Sequence, residues 1–310
     1  MQAIEVNELH KRYGSTVAVH DVSLSVRQGE IFGILGRNGA GKSTTVECVA
    51  GLLRPTSGTV RVLGLDPHRD RDRVRQVLGV QLQSSDLHNA LTVRELVRLY
   101  RSFYGDGADP DELIDRVGLT SRRDHRFENL SGGQQQRLSV ALALVGNPRV
   151  ALLDELTTGL DPQARRDIWA LVEDLRSDGV TVLLVSHLME EIERLCDRIA
   201  IIDAGRIIAL DTPAGLVSGA GLGQRVRFQV NGPFDQAVLD RLPEVTSVRV
   251  EGGQVTVRGD GDLLQSVSRA LVHGNIIATE TRLERPNLDD AFLALTGRAL
   301  NDDATTEDSR

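Results

Sequence analysis

Apolar and polar positions alternate over residues 3–9 and 20–27, the pattern of half-buried strands, and Ile31-Phe32-Gly33-Ile34-Leu35 follows as an unbroken apolar run. That run feeds a glycine-rich loop. Residues 44–50 predict a helix ended by Gly51, and 59–63 return to strand alternation. Over 92–119 the pattern is helical, with Val93, Leu96, Val97 and Tyr100 on one face, which inserts a helical subdomain over about 84–145. A further helix starts at Gly132. Strand 149–153, helix 162–176, strand 180–185, helix 188–195 and strand 199–202 then alternate. Such alternation predicts an α/β domain over 1–215, its sheet largely parallel and its ligand loops at the carboxyl ends of the strands.

Past Pro213 the glycine-rich stretch 216–223 reads as a linker. Beyond it the pattern runs strand 225–230, helix 234–242, strand 246–251, strand 254–258, helix 262–273 and strand 276–283, an order that suits a small α+β sandwich of the ferredoxin-like kind over 224–298. A last helix runs from about Asn287 to Gly297, and the acidic, polar tail 299–310 is expected to be disordered.

Composition narrows the function. The 310 residues carry 36 Lys and Arg against 44 Asp and Glu, a net charge of −8, so the basic footprint of broad nucleic-acid binding is missing. Cys48 and Cys196 stand far apart without His or Cys at metal-ligand spacing, which suits reduced thiols in a cytosolic compartment. The start of the chain lacks a secretory pattern, and its longest apolar run, 140–145, falls far short of the roughly 20 residues a spanning helix needs.

Three segments carry the chemistry. The loop Gly36-Arg37-Asn38-Gly39-Ala40-Gly41-Lys42-Ser43, continued by Thr44, sits between a strand and a helix, where backbone N–H groups converge on phosphate oxygens. Lys42 would neutralise the outer phosphates and Ser43 offer a hydroxyl to Mg²⁺. Asp154 and Glu155 end an apolar strand and supply a magnesium handle and a candidate base. In Leu130-Ser131-Gly132-Gly133-Gln134, Ser131 and Gln134 form a capping box, which needs no function. Yet two glycines in a first helical turn cost about 1 kcal/mol each relative to Ala and suggest close approach of an anion. His187, just past strand 180–185, is placed to meet a phosphate oxygen or a water, although a lone histidine is often structural. Tyr13 before Gly14 suits adenine stacking or plain packing, and Gln83 shares a strand face with Gln81. These segments predict a P-loop NTPase that hydrolyses ATP.

In order, Tyr13, residues 36–43, Gln83, 130–134, 150–155, Gly159-Leu160-Asp161 and His187 resemble the motifs of an ABC transporter ATP-binding subunit. Residues 80–99 and 287–297 are similar to the drug-resistance branch, the daunorubicin/doxorubicin exporter ATPases. The resemblance implies that Lys42 binds phosphates, that Ser43, Gln83 and Asp154 hold Mg²⁺, that Glu155 polarises the attacking water and that Gln83 and His187 sense the γ-phosphate. Ser131 and Gly133, with Gly132, Gln134 and Asp161, would complete the site of a facing copy, making the active unit a homodimer around two ATP molecules. It further implies a separate transmembrane permease docked near 92–119, a peripheral place on the cytoplasmic face of the membrane, no nucleic-acid partner, and efflux of a hydrophobic drug or antibiotic. The family commonly has proline where Leu156 stands here, a change expected to affect turn stiffness alone. A rival reading, a soluble ABC ATPase switch in translation or DNA maintenance, is disfavoured by the single nucleotide module, the acidic balance and the absence of a long coiled coil. A further reading makes the C-terminal sandwich a ligand-sensing module.

Overall fold

A computed structural model describes residues 1–82, 87–230 and 234–300. Gln83 and the tail from 301 therefore lie outside the described residues. The chain divides into one unit of 1–213 with 300–310 and another of 214–299.

The first unit opens with β1 (Gln2–Tyr13) and β2 (Thr16–Arg27), a hairpin turned at Gly14, then β3 (Ile31–Leu35), α1 (Lys42–Val49) and β4 (Ser57–Val62). Strands β2, β1 and β4 form an antiparallel sheet in that order. Next come α2 (Arg71–Arg75), β5 (Leu78–Gln81), α3 (Val93–Arg101), α4 (Pro110–Arg116) and α5 (Gly132–Leu144). The span 92–119 is thus two helices, because Asp109 caps a new one with Pro110 at its first position. The unit continues through β6 (Val150–Asp154), α6 (Pro162–Ser177), β7 (Thr181–Ser186), α7 (Met189–Leu195), β8 (Arg198–Asp203) and β9 (Arg206–Asp211).

A six-stranded sheet of order β5-β6-β7-β3-β8-β9 forms the body, parallel except at β9. Every residue of β3, β6 and β7 is buried, as expected of strands covered on both faces. Helix α1 lies against β1 and β4, joining Ile4, Val6 and Val60 to Phe32, Leu152 and Leu183 in one core. Both thiols are buried and free, and burial pushes that of Cys48 up to about 11 and that of Cys196 well above its ordinary value. The sequence reading did not foresee β9. Its signal was the turn Ala204-Gly205, both at positive φ, a combination that matches the twist of a two-residue hairpin.

The expected linker needs correction: α8 (Pro213–Gly219) makes its first half helical, with Leu216 buried and Pro213 at the first position, so only 220–223 lacks helix or strand. Leu300, assigned to the tail, is buried. The second unit contains β10 (Gln224–Val230), α9 (Ala237–Asp240), β11 (Val245–Glu251), β12 (Gln254–Gly259), α10 (Leu263–His273), β13 (Ala278–Glu284) and α11 (Leu288–Thr296). Its antiparallel sheet has the order β11-β12-β10-β13, so each strand–helix–strand connection skips one strand. Phe228, Val257, Leu239, Val267 and Leu271 fill a core of its own.

Gly79 of β5 runs so close to α5 that a Cβ there would lie 2.1 Å from the Ala143 carbonyl oxygen. Gly79→Ala is therefore expected to destabilise the first unit by about 1–3 kcal/mol, and a thermal melt should show the midpoint falling by several degrees.

Candidate functional site

The glycine loop is shaped by the backbone that crowds it. A Cβ on Gly36 would meet the Ile202 carbonyl oxygen at 2.3 Å, and one on Gly41 the Ala18 carbonyl oxygen at 2.4 Å. Gly41 also takes φ 98°, which turns the chain into α1 with no side chain capping the helix start. The first-turn N–H groups thus face the loop, the arrangement that attracts anions. Lys42 is only 5% exposed, and its Nζ donates to the carbonyls of Gly36 at 2.8 Å and Arg37 at 3.0 Å. Burial pulls its pKa below the ordinary value, against the opposing pull of Glu155 and Asp154. Ala40 is buried, whereas Asn38, Gly39 and Ser43 are exposed.

Strand β6 carries Asp154 into the interior, where it is 3% exposed. Its N–H donates to Gln81 Oε1 of neighbouring β5 at 3.1 Å, but its Oδ1 is buried with no hydrogen-bond partner. Burial, then the adjacent Glu155, pushes the Asp154 carboxyl up to about 6, with Lys42 pulling the other way. Glu155 takes φ 51°, held by its N–H on the Val185 carbonyl at 2.9 Å. From the end of β7, His187 brings Nδ1 to 3.4 Å from Glu155 Oε1. Because β7 lies between β3 and β6, three neighbouring strand ends supply the loop, the histidine and the carboxylates.

Asn38, Gly39, Gly41, Lys42, Ser43, Thr44, Glu155 and His187 share one cavity of about 640 Å³ with Ala18 and Thr158, which the motifs did not mark; Gly36, Arg37, Ala40 and the buried Asp154 are not among its lining residues. Tyr13, at the end of β1, is not among the residues lining this cavity; it is 48% exposed, with Lys11 Nζ 5.1 Å from its ring centroid. Ser131 starts α5 with the expected capping box: the Gln134 N–H donates to its hydroxyl at 3.4 Å, and its own N–H to Gln134 Oε1 at 3.0 Å. Gly133 has a reason within the chain, since a Cβ there would sit 2.8 Å from Ala164 Cβ of α6, whereas Gly132 has no neighbour closer than 3.8 Å. The inference that both glycines record an anion's approach is corrected to that extent. Asp161 caps α6 by accepting the N–H groups of Gln163 and Ala164, both at 2.9 Å, which holds its carboxyl below the usual range. None of Ser131, Gly132, Gly133, Gln134 and Asp161 lines the cavity of their own chain.

Two supports were missed in the sequence. Gln81 was noted only as a neighbour of Gln83, yet it fixes the Asp154 backbone. Glu191, fully buried on α7, accepts from Thr157 Oγ1 and Trp169 Nε1, both at 3.0 Å, tying the turn after Glu155 to α6 and α7. Nothing in the sequence distinguishes it from Glu190 and Glu193.

A family model described as ABC transporter matches residues 19–158. The Nod factor export ATP-binding protein I of Paraburkholderia xenovorans (strain LB400) is 38% identical over 309 residues, 97% of this chain and 99% of that protein. The chain belongs to the ABC transporter family. The daunorubicin/doxorubicin resistance ATP-binding protein of Streptomyces peucetius is also 38% identical, over 99% of this ABC chain and 96% of its own length. A dimeric ATP-binding cassette in a post-hydrolysis state, bound to ADP and Pi, superposes with a TM-score of 0.62 at 28% identity, covering 67% of this chain and 98% of that one. The first unit is thus an ABC ATPase cassette, and the protein is the ATP-hydrolysing subunit of an ABC exporter. Those likenesses set aside the soluble switch in translation or DNA maintenance. Among the described residues, no helix is long and apolar enough to cross a membrane.

The Asp154 carboxyl leads to a pH test. Folded, it keeps its proton up to about pH 6, while its ordinary value is 3.8, so folding takes up a proton between those values and stability falls as pH rises through that window. Asp154→Asn removes the cost. Without nucleotide or metal, the variant is expected to gain about 1–3 kcal/mol above pH 6 and almost nothing below pH 4, as read from melts across pH, while losing ATP hydrolysis.

Proposed function

We propose that two copies of this chain pair around two ATP molecules and that their closure drives a hydrophobic drug or antibiotic out through a separate membrane-spanning permease. One observation carries the reading: Lys42, Glu155 and His187 meet at a single cavity beside a helix start, while the Ser131 segment stays away from it. Each site is then completed by the α5 start of the other copy, an isologous pairing with two equivalent sites.

Phosphate oxygens would take the loop N–H groups and draw the Lys42 ammonium off the Gly36 and Arg37 carbonyls. The unpartnered Oδ1 of Asp154, beside a lysine and a second carboxylate, is where a cation would settle the charge. Asp154 therefore fits as a Mg²⁺ ligand, with the exposed Ser43 hydroxyl and Gln83 as the others. Bound there, Mg²⁺ supplies charge neutralisation at the phosphates. Glu155 accepts the proton of the attacking water as the water oxygen bonds to the γ-phosphorus and the bond to the bridging oxygen breaks, releasing ADP and phosphate. His187, within 3.4 Å of that carboxylate, orients it and meets the γ-phosphate.

A second cavity, of about 340 Å³, lies between Leu52 and Val74 on one side and Tyr100 and Tyr104 on the other. With Leu52, Leu99 and Phe103 exposed nearby in sequence, it suits an apolar cytoplasmic helix of the permease, which would hold the subunit on the inner face of the membrane. The skipped-strand order of the second unit supports its reading as a ferredoxin-like accessory domain.

Glu155→Gln should keep ATP binding but slow steady-state turnover by about 10²-fold or more, and Lys42→Ala should weaken ATP binding itself by about tenfold or more in a nucleotide titration. Pairing is tested by mixing two inactive chains, Lys42→Ala and Ser131→Arg. A mixed dimer regains one intact site, so about a quarter of normal ATPase activity should return, and none if each chain works alone.

A further inference from the structure

The outer face of the sheet β11-β12-β10-β13 carries chemistry that neither ATP hydrolysis nor permease docking uses. Val226, Phe228, Val255 and Val257 point into the core, so the alternate positions present Arg225 and Arg227 of β10, Arg249 of β11, Arg258 of β12 and Arg282 of β13 on the opposite face. Register places Arg225 directly across from Arg258, and Arg227 across from Arg282. Like charges so placed repel. Arg225 is paired with Asp290 at 3.2 Å, Arg227 with Glu284 at 3.1 Å and Arg249 with Glu251 at 3.7 Å. Among the described residues Arg258 and Arg282 have no acidic partner, and the buried Arg227 Nε has no acceptor. A cavity of about 400 Å³ is lined by Arg225, Arg227, Arg249 and Arg258, with Ser247, Thr256 and Gln254 adding neutral donors and Glu251, the partner of Arg249, at its edge; Arg282 does not line it. In a chain of net charge −8, this concentration of guanidinium is local.

We propose that this face binds a small phosphorylated molecule. Guanidinium forks match phosphate oxygens two at a time, hydroxyl and amide groups supply further donors, and an anion seated between the opposed arginines turns their repulsion into attraction. The cavity has the size of a small-molecule site. Single-stranded nucleic acid is disfavoured because the phenyl rings of this unit, Phe228, Phe234 and Phe292, are buried or packed against its core and leave no stacking platform on the face. An anionic bilayer is disfavoured because two uncompensated arginines fall below the roughly four to eight basic residues of a membrane-attaching cluster.

The test uses the full-length Lys42→Ala chain, whose nucleotide loop is impaired, titrated calorimetrically with inorganic pyrophosphate at physiological salt. Pyrophosphate is expected to bind, with Arg258→Ser and Arg225→Ser each weakening it by about tenfold or more and Arg269→Ser, at an exposed position of α10 away from the cavity, leaving it unchanged. Melts of each variant confirm folding, and the second arginine stands in should the first variant fail to fold. Absence of binding, indifference to both substitutions, or equal loss in Arg269→Ser overturns the proposal. So does arginine-dependent retention on phosphatidylglycerol vesicles without pyrophosphate binding, which would assign the face to the bilayer. ATP hydrolysis by the otherwise unaltered Arg258→Ser chain should run at the normal rate, so a failure here is distinct from a failure at the nucleotide site.

Discussion

Burial of a lysine at the start of α1 and a carboxylate at the end of β6, with neither satisfied by the other, is the constraint on which the nucleotide site turns. Lys42 gives its hydrogen bonds to loop carbonyls, and Asp154 keeps an oxygen without a donor. The low dielectric that makes this arrangement costly also strengthens whatever later completes it. In the proposed complex, a triphosphate would meet the lysine and a cation the carboxylate. The apolar strands β3, β6 and β7 exist to hold their ends rigid, which is why every one of their residues is buried.

Support for the Asp154-Glu155 pair comes from groups that do not line the cavity. Gln81 fixes the Asp154 backbone from β5, while Glu191 gathers Thr157 and Trp169 on a single oxygen and so braces the turn that follows Glu155. That turn includes Leu156, whose side chain is buried, so packing as well as hydrogen bonding holds it in place. The strained φ of Glu155 persists because the strand hydrogen bond to Val185 and this bracing over-determine it.

The start of α5 shows how one motif serves two demands. Its capping box satisfies the first-turn donors locally, and Gly133 lets α6 approach through Ala164. Neither demand accounts for Gly132, whose surroundings are open. In the proposed pairing, that open space is where the facing copy would approach.

Local order was legible from the sequence because it rests on local physics. Period-two alternation and apolar runs marked β1, β2, β3, β6 and β7; the loop 36–43 and the pair Asp154-Glu155 declared phosphate chemistry; and Ser131 announced its own cap. Glycine richness misled at α8, where a buried Leu216 outweighs weak helix propensity, and the short hairpin turn before β9 was overlooked. Spacing along a chain says nothing of which strand ends become neighbours. Only the tertiary structure, by ordering β6-β7-β3, brought Glu155 to His187 and buried Asp154 beside Lys42, and only strand register set arginine against arginine on the second sheet, because those contacts join residues far apart in sequence.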